Sequence, residues 1–292
     1  MDRASLTPML RQYFEIKEQH PDTLLFFRLG DFYEMFFDDA RIAAPLLEVV
    51  LTSRNKGSED SVPMCGIPYH AMENYAAKLL RQGFKIAICD QMEDPALAKG
   101  LVRREVTRIL TPGTALEIDG SDTLGENRVI AFGRDESGMA LAVADLDAGE
   151  CRLRFFPAGR EDRLRHELVC QPPREVLVPQ SLEAEISAQL AGLPELEGVV
   201  VSPLDESEFN RFEGEAALKE QFGLATIEGL GVLDHPVVIG ACGALLRYLG
   251  HVRRMAPKNL SVIRFQAAES HLILDPVSFR NLEVTANLRT GT

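Results

Sequence analysis

The sequence predicts an α/β protein, with a mixed-sheet domain, a second α/β domain and the start of a helical part. Three observations support this prediction. Short apolar runs alternate with helical patterns along most of the chain. The stretch at 117–127 is acidic and contains glycine, which is typical of a linker between domains. The length of 292 residues exceeds the usual size of one domain and favours two domains and a remainder.

The first domain is expected to occupy residues 1–116. Its N-terminal helix begins where Thr7 can cap the backbone and Pro8 suits the first turn, and apolar residues follow at helical spacing. Further along, short runs rich in aromatic and β-branched residues predict strands. In chain order the expected elements are a helix at 7–20, a strand at 23–29, a turn at Gly30-Asp31, an apolar stretch at 32–37, a helix opening at Asp38 or Asp39, a helix at 71–82, and strands at 84–89 and 106–110.

Two segments of this domain lack a regular pattern. Residues 53–61 are polar and predict an exposed loop or hairpin tip. Residues 62–70 hold two prolines and a glycine, which favours shaped, irregular backbone. The run Thr111-Pro112-Gly113-Thr114 marks the end of the unit.

The second domain is expected at 128–262. Its first three strand-like runs are separated by glycine-containing turns, which predicts an antiparallel meander, and helices and strands alternate afterwards. That order matches an RNase H-like fold. The expected elements are strands at 128–133, 139–146 and 151–156, a helix at 160–170, a strand at 175–178, a helix at 181–191, a strand at 199–201, a helix at 213–222 and a long apolar stretch at 236–255. Residues 263–292 then start a third, truncated part with a helix at 276–288, which needs tertiary partners for its stability.

Charge is distributed unevenly along the chain. The net charge of −13 argues at first sight against a nucleic-acid partner. Residues 1–116, however, hold 14 Lys and Arg against 16 Asp and Glu, so this part is nearly neutral. Local basic clusters in the first domain could therefore still contact phosphates.

Cysteine usage and hydropathy predict a cytoplasmic protein. The five cysteines are scattered and form no CxxC pair, which argues against a disulfide framework and against a zinc site. No apolar run approaches the roughly 18 residues of a membrane span. Charges near the N-terminus argue against a signal peptide. We therefore expect a reducing compartment, no membrane and no metal site.

The most informative run is Leu29 to Glu34. If these residues enter a strand after the turn, Phe32 and Glu34 point to one face and Tyr33 to the other. An aromatic ring can wedge between base steps and kink a duplex, while a carboxyl group beside it bonds to a base edge. A mismatch deforms at a lower energetic cost than a matched pair. The residues alone leave an alternative open, in which the aromatic side chains are core and the acid is solvated.

Residues 1–116 resemble the mismatch-recognition domain of bacterial MutS proteins along nearly their whole length. The matching words are Thr7-Pro8-Met9, Leu24-Leu25-Phe26-Phe27-Arg28, Gly30-Asp31-Phe32-Tyr33-Glu34, Ile67-Pro68-Tyr69-His70, Glu73-Asn74-Tyr75 and Thr111-Pro112-Gly113-Thr114. This resemblance implies that Phe32 stacks on the mismatched base and that Glu34 hydrogen-bonds it. It also implies that the target is mismatched double-stranded DNA. Tyr33 lies between these two residues on the opposite strand face, and we expect it in the core.

The resemblance continues through the rest of the chain. Residues 128–262, with the run Ala144 to Glu150, resemble the RNase H-like connector domain of that family. Residues 263–292, with Arg280-Asn281-Leu282-Glu283, resemble the opening of its helical core (lever) domain. The family continues through a clamp to an ATPase, yet no GxxxxGK[ST] phosphate loop occurs here. The resemblance therefore implies ATP, Mg²⁺, a homodimer and a MutL-type partner for the longer protein, and neither catalysis nor a cofactor for this chain.

Basic residues in the first domain are candidates for phosphate contacts. Arg54 and Lys56 lie in the predicted loop, where simple solvation is the equal alternative. Arg104 and Arg108, with Arg103 beside them, lie near the region that the resemblance assigns to DNA.

Two other functions remain open at this stage. Asp145 and Asp147 could share a strand face and hold metal ions, as in RNase H-like nucleases. Their alternative is a solvated outer face that runs into a turn, and Glu175 is the only acid that the strand at 175–178 adds. A MutS relative that acts as a scaffold is the second alternative, against which the intact Gly-Asp-Phe-Tyr-Glu run argues.

Overall fold

The computed structural model describes residues 6–54, 61–93, 100–114, 128–253 and 260–267. The chain divides into two compact units, Met1–Ser121 with Val252–Arg254, and Asp122–His251 with Met255–Thr292. The predicted linker at 117–127 and the predicted helix at 276–288 lie outside the described residues. The domain boundaries expected there therefore stay predictions.

The first unit contains a six-stranded mixed sheet with the strand order β3-β4-β2-β1-β5-β6. The strands are β1 (Thr23–Leu29), β2 (Phe32–Phe36), β3 (Thr52–Arg54), β4 (Val62–Pro68), β5 (Lys85–Gln91) and β6 (Arg104–Leu110). The helices are α1 (Pro8–Gln19), α2 (Phe37–Leu47) and α3 (Met72–Arg81). Strands β1 and β5 run parallel, whereas the other neighbouring strands run antiparallel.

Helices cover both faces of this sheet. The core between the sheet and helices α2 and α3 contains Phe26 and Tyr33. On the opposite face, the Tyr13 ring of α1 lies 5.4 Å from the ring of Phe27 and 5.1 Å from that of Phe36, both in edge-on geometry. Because side chains alternate along a strand, the strands of the sheet contribute side chains to the packing on both faces.

Helix α1 begins where the sequence predicts. The Thr7 hydroxyl accepts a hydrogen bond of 3.4 Å from the Leu10 amide, and Pro8 is the first helical residue. Leu10, Tyr13 and Ile16 lie on the buried side of the helix. The expected periodicity is thus confirmed.

The irregular backbone expected at 62–70 is wrong for most of that segment, because Val62–Pro68 is strand β4. This strand pairs with β3 on one side and with β2 on the other. Pro63 precedes Met64, where the ladder with β2 begins, and Pro68 is the last residue of the strand. Neither proline therefore interrupts the middle of the ladder with β2, whereas Pro63 is paired with Ser53 in the middle of the three-residue ladder with the edge strand β3.

The second unit contains another six-stranded mixed sheet with the order β11-β10-β7-β8-β9-β12. The strands are β7 (Arg128–Asp135), β8 (Gly138–Asp145), β9 (Glu150–Pro157), β10 (Glu175–Pro179), β11 (Val200–Leu204) and β12 (Val262–Ala267). The helices are α4 (Glu161–Cys170), α5 (Glu183–Ala191), α6 (Arg211–Phe222) and α7 (Pro236–Arg253). Strands β7, β8 and β9 form the predicted antiparallel meander, and β10 and β11 then add in parallel. This is the order expected of an RNase H-like fold.

Strand β12 includes residues from both sides of the predicted boundary at 262/263. It pairs in parallel with β9, from Val262 opposite Glu150 to Ala267 opposite Phe155. Residues 263–267, expected to open a third part, thus form an edge of the second sheet.

Helices α6 and α7 approach closely through glycines. A Cβ atom built on Gly243 would lie 2.2 Å from the Cα atom of Gly214, and one built on Gly240 would lie 2.2 Å from the carbonyl oxygen of Phe209. Both positions therefore require the absence of a side chain. Across the described residues, none of the helices has the length and apolar character that spanning a membrane requires.

Candidate nucleic-acid interface

The candidate site lies at the hairpin that joins β1 to β2. Leu29 and Phe32 are directly paired across this hairpin, and Gly30 and Asp31 form its turn. Gly30 has a φ of +59°, in the left-handed region where a residue without a Cβ atom is favoured. The turn is thus set by the glycine, and Phe32 is the first residue after it to enter the sheet.

Phe32 and Tyr33 are neighbours with opposite environments. The Phe32 side chain is 49% exposed, whereas Tyr33 is only 2% exposed and belongs to the core. The Tyr33 hydroxyl donates a hydrogen bond of 2.6 Å to Oδ1 of Asp90, and burial raises the pKa of Tyr33 well above its ordinary value. The prediction that Tyr33 is a core residue is confirmed, and Phe32 is available to a partner.

Glu34 follows on the same strand face as Phe32 and is partly buried. Its Oε2 atom lies 3.6 Å from Nη1 of Arg54 and has no hydrogen bond among the described residues. Burial raises the pKa of Glu34 above its ordinary value, and the nearby Arg54 guanidinium lowers it in part. Gly66 is paired with Glu34 on strand β4 and carries no side chain that would cover the carboxyl group.

This arrangement combines an apolar stacking surface with a carboxyl group that lacks a full set of partners. A neutral carboxylic acid can donate a hydrogen bond, and the ionised form accepts hydrogen bonds only. Because the pKa of Glu34 is raised, the group gains a proton more readily than a solvated carboxylate. The pair of Phe32 and Glu34 is therefore suited to a partner with a flat ring face and a polar edge.

The basic candidates fall in different environments. Arg54 is about half exposed and next to Glu34, so the structure brings these two predicted residues together. Arg108 is partly buried on the edge strand β6, opposite Ile88. Arg103 is exposed and forms an ion pair with Glu105. Lys56 lies outside the described residues.

Arg104 does not fit the expectation of a phosphate contact. It is only 6% exposed, and burial lowers the pKa of its guanidinium group. Its Nε atom donates to the Arg28 carbonyl at 2.7 Å, and Nη1 donates to Val102 and to the side chain of Gln12. The guanidinium also lies over the ring of Phe27. Because its donors are directed at the protein, Arg104 holds the α1 layer and strand β1 together.

Sequence reasoning missed a cluster beside the hairpin turn. The Arg28 guanidinium lies 3.3 Å from the centre of the Tyr69 ring, and its Nε atom donates to the Gly30 carbonyl. The Tyr69 amide donates to the Asp31 carbonyl at 2.8 Å. Arg28 and Tyr69 both belong to runs that carry the family resemblance, but nothing local in the sequence indicates that they touch.

The acids considered for a nuclease do not form a metal site. Asp145 is buried, not solvated as expected, because its carboxylate pairs with Nε of Arg128 at 3.1 Å. Glu175 is buried and accepts hydrogen bonds of 2.6 Å from Ser202 and from Tyr248. In the part of the chain that the structure describes, no three His, Cys, Asp or Glu side chains converge as metal ligands would. The nuclease alternative is not favoured.

The two units correspond to two domains of one class of protein, the DNA mismatch repair proteins. The family model described as MutS domain I matches residues 7–119, and that of MutS domain II matches residues 127–263. The chain therefore belongs to the MutS family.

Curated relatives support this assignment over the whole chain. The chain is 43% identical over 293 residues to the DNA mismatch repair protein MutS of Symbiobacterium thermophilum, a match that covers all of this chain and 33% of the relative. It is 39% identical to that of Desulfatibacillum aliphaticivorans, with 100% and 32% covered, and 41% identical to that of Myxococcus xanthus, with 99% and 32% covered. The chain thus spans about a third of the length of the curated relatives it matches.

Proposed function

We propose that this chain reads base-pair mismatches in double-stranded DNA and does so as a binding module without catalysis. The observation that carries this proposal is the exposed Phe32 beside Glu34, directly after the turn of the β1–β2 hairpin. Covering a half-exposed aromatic side chain with a partner removes apolar surface from water, which favours binding. The membership of the MutS family supports the choice of DNA as that partner.

The mechanism is a test of duplex stiffness. Phe32 enters between base steps, unstacks them in part and kinks the duplex. A mismatched site is already weakly stacked and paired, so its deformation costs less than that of a matched site. Preference for the mismatch then arises as a difference in deformation energy. Each stacking contact of this kind is worth about 1–3 kcal/mol.

Glu34 adds one polar contact to the base beside the ring. A carboxyl group with a raised pKa can accept a hydrogen bond or donate one, so it accommodates several kinds of mispaired base. The same raised pKa reduces the repulsion between this group and the phosphates. Arg54, 3.6 Å away, lowers the repulsion further and can position a phosphate itself.

The proposal extends to the longer protein in which such a chain acts. There the second unit connects mismatch reading to an ATPase that uses ATP and Mg²⁺, within a homodimer and with a MutL-type partner. The relatives named DNA mismatch repair protein MutS support this extension. The bacterial cytoplasm, where the chromosome lies, is the compartment that the function requires.

The decisive experiment measures mismatch preference in the full-length protein. Fluorescence anisotropy at one stated salt concentration compares a G·T-mismatched duplex with its matched counterpart, for wild type and for Phe32→Ala. We expect a clear preference in the wild type that is lost in the variant. Phe212→Ala is the control, because it removes an exposed phenylalanine from the second unit, where the side chain is 79% exposed against 49% for Phe32.

Three outcomes would count against the proposal. Equal binding of both duplexes by the wild type would overturn mismatch reading and favour a scaffold. Equal loss of preference in both alanine variants would show that the effect is not specific to Phe32. Cleavage of DNA that depends on added metal would revive the nuclease.

A further inference from the structure

The hairpin turn that precedes Phe32 is held from outside by Arg28. The Nε atom of Arg28 donates to the carbonyl of Gly30, the first residue of the turn. The same guanidinium lies over the Tyr69 ring, 3.3 Å from its centre. One side chain thus contacts the turn and the segment beside it at the same time.

Tyr69 completes this connection through its backbone. It directly follows Pro68, which is paired with Phe32, and its amide donates to the carbonyl of Asp31 at 2.8 Å. The Tyr69 side chain is 48% exposed, so its position depends on the Arg28 stack more than on burial in the core. Both carbonyl groups of the turn therefore accept hydrogen bonds, one from the Arg28 side chain and one from the backbone of Tyr69, on whose ring Arg28 stacks.

A rigid platform lies beneath this pair. The Arg28 guanidinium is 5.5 Å from the centre of the Tyr33 ring, and the Tyr33 ring is 5.8 Å from that of Tyr69. Tyr33 is anchored through its hydroxyl to Asp90, which also accepts a hydrogen bond of 2.5 Å from the Thr107 hydroxyl. The chain of contacts runs from the core to the exposed turn without a gap.

We infer that Arg28 is a positioning residue for mismatch reading: together with Tyr69 it fixes the Gly30-Asp31 turn and thereby the orientation of Phe32. This inference rests on the proposed function. The Phe32 ring discriminates between duplexes only if its orientation is fixed. A mobile ring would adapt to matched and mismatched duplexes alike, and the preference that arises from their difference in deformation energy would be lost. Lysine cannot replace arginine here, because it lacks the planar group that stacks and the Nε donor.

A direct phosphate contact by Arg28 is the competing explanation, and salt dependence separates the two. Loss of a phosphate contact weakens binding to all duplexes alike and reduces the slope of log K against log salt by about one. Loss of a positioning residue removes the preference and leaves that slope unchanged.

The test uses the full-length protein with Arg28→Lys, which keeps the charge and removes the stack, and with Arg28→Gln, which also removes the charge and would lower the salt slope if Arg28 contacted a phosphate. Arg41→Lys is the matched control, since Arg41 is exposed on α2 and pairs with Asp38. Hydrogen exchange followed by mass spectrometry reports the Tyr69 amide without any DNA. Anisotropy titrations over a series of salt concentrations report preference and slope on mismatched and matched duplexes.

We expect faster exchange at the Tyr69 amide and a mismatch preference that falls at least about fivefold in both Arg28 variants, with a salt slope that stays unchanged even in Arg28→Gln. Tyr69→Phe should behave as wild type, whereas Tyr69→Ala should reproduce the loss. Unchanged exchange and preference in Arg28→Lys would overturn the inference, as would a uniform loss of affinity with a reduced slope in Arg28→Gln. If the wild type lacks any preference, the proposed function itself fails, and the exchange data still decide whether Arg28 holds the turn.

Discussion

Glu34 and Arg54 approach to 3.6 Å between Oε2 and Nη1, yet Oε2 accepts no hydrogen bond from any described residue. The guanidinium therefore lowers the electrostatic cost of the carboxylate without satisfying it. Burial dominates, and the pKa of Glu34 stays above its ordinary value. A partly buried carboxyl group without a full set of hydrogen bonds lowers the stability of the free protein slightly, and it can form a hydrogen bond with a binding partner.

Replacing Glu34 with glutamine should stabilise the protein at neutral pH. The folded chain binds a proton on Glu34 at pH values where the unfolded chain has already lost it, so the contribution of this group to stability falls as pH rises through that window. Glutamine is neutral throughout. Chemical denaturation of Glu34→Gln and wild type should show a gain at pH 7 that vanishes below about pH 4. A gain that grows on acidification would contradict the raised pKa.

Phe32 and Tyr33 should differ sharply in their contributions to stability. Phe32→Ala should change the free energy of unfolding by no more than about 0.5 kcal/mol, because the ring is half exposed. Tyr33→Ala should cost about 3–5 kcal/mol, because it empties a core position and removes the donor to Asp90. Denaturation followed by circular dichroism measures both. Strong destabilisation by Phe32→Ala would place its ring in the core and weaken the proposed function.

Arg104 should contribute strongly to the stability of the fold, whereas Arg108 should contribute little. Arg104→Ala removes a buried guanidinium with three protein acceptors, so we expect a loss of about 2–3 kcal/mol in the free energy of unfolding. Arg108→Ala, on the same strand and partly exposed, should cost less than about 1 kcal/mol. Denaturation curves of the two variants provide the comparison. If Arg104→Ala were fully stable and bound DNA with a lower salt slope, the phosphate role expected from the sequence would be right after all.

Substitution by alanine should change the stability of the protein in opposite directions at two glycines of α7. Gly243→Ala forces a methyl group against the backbone of Gly214 and should cost about 1–3 kcal/mol. At Gly250, the methyl group of an alanine would contact no neighbouring segment within 4 Å. Gly250→Ala should therefore raise the free energy of unfolding by about 0.5–1 kcal/mol, because alanine favours helix. Thermal denaturation of the two variants should give midpoints on either side of the wild type. Equal effects would mean that the helices separate more easily than their close approach indicates.

Local sequence patterns predicted the elements well where one element depends on its own residues. The cap at Thr7 and Pro8, and the meander of β7, β8 and β9, follow from backbone hydrogen bonding and from side-chain alternation. The opposite faces of Phe32 and Tyr33 follow from the same alternation once the turn at Gly30 is recognised.

Other features depend on which strands become neighbours. Val62–Pro68 forms a strand despite its prolines because β2 and β3 lie beside it. Asp145 is buried because Arg128 of the adjacent strand neutralises it, and not solvated as the sequence suggested. Pairing of this kind is a property of the sheet and leaves no local periodic signal.

By itself, the sequence determined the α/β class, the turn at Gly30-Asp31 and the resemblance to MutS proteins, because these depend on residue order over short distances. Only the tertiary structure decided that Arg104 is buried, that Arg54 is next to Glu34 and that Arg28 stacks on Tyr69. Each of these contacts joins residues from separate elements. Their free energy arises from burial and charge in the folded chain, which no short stretch of sequence contains.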